Sequence, residues 1–200
     1  MGVRLHKDKA DRYATQSGFV MSAGRLIQTT AGVRGNSENQ IRLANTLAVF
    51  IQDDIKWGSL TISPGVRYEN ILLSLDNFGT SDSERLGASL KTASNHVTAF
   101  LPGVGINYIV NPRVSIFGGI HKGFSPPGMP SITVTTQAKP EKAWSYEAGL
   151  RTQNKYWNIQ LAGFLNQYEN ILGSDNQSGG GAGTGDMFNA GRSEEHTSEL

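Results

Sequence analysis

The sequence predicts an all-β chain whose antiparallel strands form the wall of a transmembrane barrel, and three observations carry that expectation. Apolar residues alternate with polar or small ones, as they do where the two faces of a strand meet different surroundings. The connections alternate between long and short along the whole chain, which is how a barrel sorts its loops to one side of a bilayer and its turns to the other. Several alternating stretches exceed ten residues, whereas globular strands usually run to about 5–6 and a tilted membrane strand needs about 9–11.

In order along the chain, Gly2 to His6 reads as the end of a strand, with Val3 and Leu5 on one side. Lys7 to about Gln40 reads as a long polar loop with a local hairpin around Phe19 to Ile27. From Arg42 the alternation is sustained, with Leu43, Leu47, Val49, Ile51, Ile55 and Trp57 on one face, interrupted by Asn45 and Asp53. After a short turn at Lys56 to Ser59, Leu60, Ile62, Pro64, Val66 and Tyr68 oppose Thr61, Ser63, Gly65, Arg67 and Glu69.

A polar loop from Asp76 to Asn95 leads to a strand with Phe100, Pro102, Val104, Ile106 and Tyr108 on one face, and Asn111-Pro112 marks a tight turn. Val114 to Phe124 follows, then a Pro-, Ser- and Thr-rich loop from Ser125 to about Lys142. Trp144, Tyr146, Ala148 and Leu150 alternate next with Ser145, Glu147, Gly149 and Arg151. A turn around Gln153 to Lys155 starts the returning strand, with Trp157, Ile159, Leu161 and Leu165 on its apolar face, and a glycine-rich loop runs from Gly173 to Asp186. Trp57, Tyr108 and Trp157 lie by short turns and Trp144 at the opposite strand end, as expected of aromatic side chains at a lipid–water interface and equally of aromatics as common strand residues.

Composition narrows the function classes. A net charge of +1 without basic clusters speaks against nucleic acid as a partner. The absence of cysteine removes disulfides, thiolate catalysis and cysteine zinc sites. No apolar run is long enough for a transmembrane helix, which leaves a barrel open because its strands give only alternating hydropathy. No apolar signal segment follows Met1, so an exported protein is not expected to begin here.

Catalytic patterns fail on spacing. The run Gly179 to Asp186 lacks the lysine and Ser/Thr ending of a phosphate loop, and no Gly-x-Ser-x-Gly elbow occurs. Asp53 and Asp54 point to opposite faces of a strand, with Asp54 toward the lumen side. His6, His96 and His121 lack metal-ligand spacing, so neither a metal, a cofactor nor an enzyme is expected.

Five segments taken together in order, LAVFIQDDIKWGSLTISPGVRYENI (Leu47 to Ile71), HKGFSPP (His121 to Pro127), KPEKAWSYEAGLRTQ (Lys139 to Gln153), FLNQYENILG (Phe164 to Gly173) and FNAG (Phe188 to Gly191), resemble the barrel of TonB-dependent outer-membrane receptors, in the ferric citrate and siderophore branch. The resemblance implies a large barrel closed by an N-terminal plug. It also implies uptake of a ferric chelate across the bacterial outer membrane, with outer-membrane lipid and the TonB energy-transducing complex, reached through the plug, as partners. No plug or TonB box is visible, and six full strands with partial first and last ones make an incomplete, internal piece of such a barrel, residues 1–191.

Residues 192–200, RSEEHTSEL, depart from the pattern: they are charged, without alternation, and are the in-frame translation of a common sequencing-library adapter. They are therefore expected to be a non-native tail.

For an anionic chelate the candidates are basic or hydrogen-bonding groups on long loops and on the lumen face beside them. These are Arg12, Arg85, Lys91 and His121, with ordinary solvated charge as the plain alternative. Arg67, Glu69, Glu147 and Arg151 are expected to form a lumen-wall network of alternating charge, Arg67 and Arg151 repeating the Gly-apolar-Arg form first seen at Gly2-Val3-Arg4. A passive porin-type channel and, further off, a soluble β-rich binding module are the competing readings.

Overall fold

The computed structural model describes residues 1–134, 136–174 and 187–189, and the backbone alone of 193–197. Every regular element among them is a strand: β1 (Gly2–Ala14), β2 (Gly18–Ser22), β3 (Arg25–Thr30), β4 (Glu38–Gln52), β5 (Ile55–Trp57), β6 (Leu60–Asn77), β7 (Lys91–Asn111), β8 (Val114–Ser125), β9 (Glu141–Gln153), β10 (Asn158–Glu169), β11 (Leu172–Ser174), β12 (Met187–Asn189) and β13 (Ser193–Thr197). One antiparallel sheet runs β1-β4-β6-β7-β8-β9-β10-β13, with β5 folded back on β6, while β2–β3 and β11–β12 form small hairpins in the long connections. The predicted hairpin near Phe19 is β2–β3, and the connections alternate in length as the sequence pattern requires.

Two boundaries differ from the sequence reading. β1 continues to Ala14, where a loop was expected from Lys7, and β7 begins at Lys91 rather than after Asn95. Both extensions are polar on both faces, so they carry no period-two signal, and they are held by pairing with β4 and β6 instead. Ser193–Thr197, also without alternation, pairs through its backbone with the edge of β10. The Gly179–Asp186 run lies outside the described residues.

Two prolines sit where the ladder is interrupted. Pro64 faces the break between β4 and β5, where Asp53 N–H donates to its carbonyl at 3.1 Å. Pro102 pairs in register with Val66 of β6, and beyond it β7 has no partner on its β8 side: that ladder stops at Gly103–His121. A residue without an N–H cannot donate to a ladder, and a sheet accommodates it where one ladder ends.

Register gives the two faces. Outward positions form an apolar band, Leu5 on β1, Leu47 and Val49 on β4, Val66 and Tyr68 on β6, Phe100 and Val104 on β7, Ile120 on β8, Tyr146 on β9 and Leu165 on β10, each followed toward the long loops by a polar or interfacial residue. Leu5 lies in the pairing row of Thr98, whereas Leu165 lies in the row of Val104. The band thus slips by six residues across the six steps from β1 to β10, one residue per strand. One residue of rise against one interstrand spacing corresponds to a tilt of about 35°, which is the tilt of a closing transmembrane barrel.

Above the band the faces exchange character. Inward positions of β6 are polar or small up to Glu69, then become Ile71, Leu73 and Leu75, which with Val97 of β7 are all buried. Ala44, Phe124 and Met129 pack on the Ile71–Leu73–Val97 cluster, and Asn95 Nδ2 donates to the Ala138 carbonyl at 3.0 Å. The loop after β8 therefore covers this inner patch. Within the bilayer the outer face must be apolar; beyond it the outer face meets water, and the loop shelters the inner one.

Candidate functional site

The inner wall at mid-height carries a shallow pocket of about 480 Å³ where β4, β6, β7, β8 and β9 contribute inward residues. Its floor is backbone-rich, because Gly65 faces Gly103 and Gly105 faces Gly119 across the ladders. A Cβ on Gly103 would come within 3.0 Å of the His121 Cβ, so this glycine lets the imidazole lie against the wall. Arg67, His121 and Glu147 converge on the pocket, joined by Phe50, Gln52 and Ser63.

Arg67 donates from Nε to Glu69 Oε1 at 2.5 Å, two residues along the same face, and its guanidinium lies 5.8 Å from the Phe50 ring centre. Glu69 is 8% exposed, so its charge requires this partner. Arg151 instead donates to Gln160 Oε1 at 2.8 Å and stacks 4.2 Å over Phe117. Among the described residues Glu147 takes part in no salt bridge. The four charges are thus a paired Arg67–Glu69 unit, a separately held Arg151 and a free-standing Glu147, not one connected network. Asp54 accepts from the inward Ser63 hydroxyl at 2.5 Å, as its assigned face requires.

The remaining candidates lie nearer the long loops. Arg12 is on the inner face of β1 and pairs with Glu38 at 2.9 Å, in a ladder that continues through Gln40 and Arg42. Lys91 opens β7 at the rim, opposite Asn77, and is exposed.

Arg85 lies on the other side of the wall. Its loop, residues 78–90, folds over the outward residues Tyr13 and Asn39. The guanidinium donates to Asn39 Oδ1 at 2.7 Å and to both Asp11 carboxylate oxygens, at 2.6 and 3.2 Å, and stacks 4.1 Å over Tyr13. The Tyr13 hydroxyl donates to the Ser83 carbonyl, and Asn39, 1% exposed, donates to the carbonyls of Gly79 and Asp82. Asp82 closes the loop on itself, accepting from Leu86 N–H at 2.9 Å and Gly87 N–H at 2.8 Å. These contacts hold the Asp11 carboxyl below its usual range through the Arg85 hydrogen bond, and the Asp82 carboxyl below it through the backbone N–H groups, first that of Leu86.

Of the four candidate ligand residues the structure thus sets His121 in the pocket, Lys91 at the rim, Arg12 in an inner ion pair and Arg85 in an outer clasp. The pocket residues Phe50, Gln52 and Ser63 share strand parity with Arg67, and that parity was the signal available for them. Nothing local to Asn39 or Asp82 announces their role, because it depends on contacts between segments about 40 residues apart.

An outward lipid band, an inner polar wall and an inward-folded loop describe one class of architecture, and residues 5–197 match the family of TonB-dependent receptor-like β-barrels. The chain belongs to this family. It is accordingly a section of a receptor barrel of the bacterial outer membrane, an open sheet with β1 and β13 as its edges.

Solved receptor barrels share its fold. The ferric-catecholate import receptor Fiu from E. coli K12, in its closed form, aligns with a TM-score of 0.66 at 16% identity, over 96% of this chain and 30% of that one. The ferric yersiniabactin uptake receptor FyuA from Yersinia pestis aligns at 0.62 and 16% identity, over 96% and 27%. The siderophore receptor PiuA from Acinetobacter baumannii aligns at 0.58 and 18% identity, over 85% and 23%. This receptor section therefore spans between 23% and 30% of the length of these proteins.

Proposed function

We propose that the complete protein binds a ferric chelate, siderophore or ferric citrate, at its outer side and imports it across the outer membrane with energy delivered through TonB. The observation that carries this reading is the match of residues 5–197 to the receptor-barrel family. Import receptors for ferric chelates among the proteins of like fold support it. Such uptake needs no covalent chemistry from the wall, which offers charged and hydrogen-bonding groups to a solvated anion. His121 is the best placed of the candidate ligand residues, with Lys91 meeting the chelate at the rim; the Arg67–Glu69 pair and Arg151 line the path below. Arg12 and Arg85 act through the rim they hold together.

Deletion of the full-length gene, followed by iron-limited growth on individual ferric chelates with and without TonB, tests the reading. Loss of growth on one chelate, reproduced by loss of TonB, is the expected result. Uptake that persists without TonB identifies a passive channel and refutes the proposal.

A further inference from the structure

The long connection between β8 and β9, residues 126–140, is docked on both sides. Toward β7 it is held by Met129 on the Ile71–Leu73–Val97 cluster and by the Asn95 bond to the Ala138 carbonyl at 3.0 Å. Sheet hydrogen bonds make no such link above Gly103, where the β7–β8 ladder ends. On its other side the connection meets the β11–β12 hairpin through one side chain. The Asn189 amide accepts from Lys139 N–H at 2.9 Å and donates to the carbonyls of Lys139 and Asn170, both at 3.0 Å.

Those three bonds stand in for a strand. Lys139 lies two residues before β9 begins at Glu141, and Pro140 between them has no N–H with which to extend a ladder. A side-chain amide offers an acceptor and a donor as a peptide group does, so Asn189 serves both backbone groups of Lys139 as a neighbouring strand would. Its second N–H holds Asn170, whose φ of 56° turns the chain between β10 and β11. Beside it Glu141 Oε2 accepts from Leu172 N–H at 3.0 Å, and Met187 lies against Gly128. Aspartate at this position would accept but not donate, and alanine would do neither.

We propose that Asn189 is a latch, which fastens the 126–140 loop to the β11–β12 hairpin and so holds from its far end the cover over Ile71, Leu73 and Val97. With the latch made, the loop and the β11–β12 hairpin are one cap docked on β6 and β7; with it broken, the loop keeps its β7 side and the Glu141–Leu172 bond opens with it. The latch belongs to the architecture of the cap and stands independently of the transport reading.

The test uses the complete receptor in neutral detergent, with amide exchange read by mass spectrometry and unheated gels to confirm folded barrels. The Lys139 and Leu172 amides are expected to exchange slowly in the parent and about tenfold or more faster in Asn189→Ala, the scale of lost hydrogen bonds. Asn189→Asp, which loses both donors, serves with the same expectation at Leu172 should the alanine variant not fold. A staple then separates a latch from a local effect. A Cβ on residue 128 would stand 3.0 Å from Met187 Cγ, and about 3 Å separates a Cβ from the far sulfur of a disulfide. Gly128→Cys/Met187→Cys is therefore expected to cross-link with diamide. In the cross-linked Asn189→Ala receptor Leu172 should regain its protection and lose it again on reduction, while Lys139, still without its acceptor, stays fast. Unchanged exchange at Leu172 in the folded Asn189 variants, failure of the cysteine pair to cross-link, or a Leu172 that stays fast once it has, each overturns the proposal.

Discussion

Gly149 is the position at which the inner wall tolerates a side chain least, and Gly149→Ala is the sharpest test of the register. The added methyl would stand 2.6 and 2.9 Å from Cζ and Cε1 of Phe117, and closer still to the carbonyl oxygen of Leu161. The ring can rotate, but doing so disrupts the Arg151 stack at 4.2 Å, an interaction worth about 0.5–1 kcal/mol. The carbonyl belongs to β10 and can retreat only if the β9–β10 ladder spreads. Overpacking of this kind costs about 1–3 kcal/mol, against a gain of about 0.5–1 kcal/mol from replacing a strand glycine by alanine. A net loss of about 1–2 kcal/mol follows. Urea unfolding of the complete receptor in liposomes should show a lower midpoint with an unchanged slope. In a Phe117→Ala background the penalty should shrink without vanishing, because the ring contact is gone and the carbonyl contact remains. A Gly149→Ala receptor as stable as the parent would refute the placement of β9 against β10, and an identical penalty in both backgrounds would acquit the ring.

Three further outcomes are expected. Glu69→Ala leaves Arg67 without its 2.5 Å partner and should cost about 1.5–3 kcal/mol in the same unfolding assay, the usual worth of a hydrogen bond to a charged group. Val104→Arg puts a charge at the centre of the apolar band and should cost about 2–4 kcal/mol, whereas arginine at the inward position Asn107 should cost well under about 1 kcal/mol; equal costs would mean the faces are misassigned. The third concerns pH: the backbone N–H groups around Asp82 hold its carboxyl below the usual carboxylate range in the fold, so its contribution to closing the 78–90 loop is fully present above about pH 4–5 and is lost as pH falls through the depressed value. Amide exchange at Leu86 and Gly87 should therefore accelerate only in strong acid in the parent, and already at neutral pH in Asp82→Asn.

The membrane-spanning part of this wall was legible because lipid on one side and water on the other write a period of two into Leu60–Tyr68 and Phe100–Tyr108. The same rule fails outside the bilayer. On β1, Lys7, Lys9 and Asp11 face outward and His6, Asp8 and Arg12 inward, so water reaches polar groups on both faces and the pattern disappears although the strand continues. Ile71, Leu73 and Leu75 alternate clearly, yet their meaning is reversed, since the cover for the inner face comes from Met129 on a distant loop. Candidate residues followed the same division. His121 and the inward charges could be placed by parity, whereas Arg85 could not, because Asp11, Asn39 and Tyr13 reach it only after three separate segments have assembled.

The end of the β7–β8 ladder at Pro102 has a mechanical consequence. Up to Gly103, β7 is held by hydrogen-bonded ladders on both sides; above it the β6–β7 hairpin is a cantilever, joined to the sheet through β4 only. Bending stiffness there depends on the wedge of Phe124 and Met129 against Ile71, Leu73 and Val97. A push on the loop that carries Met129 therefore bears on the hairpin through that wedge.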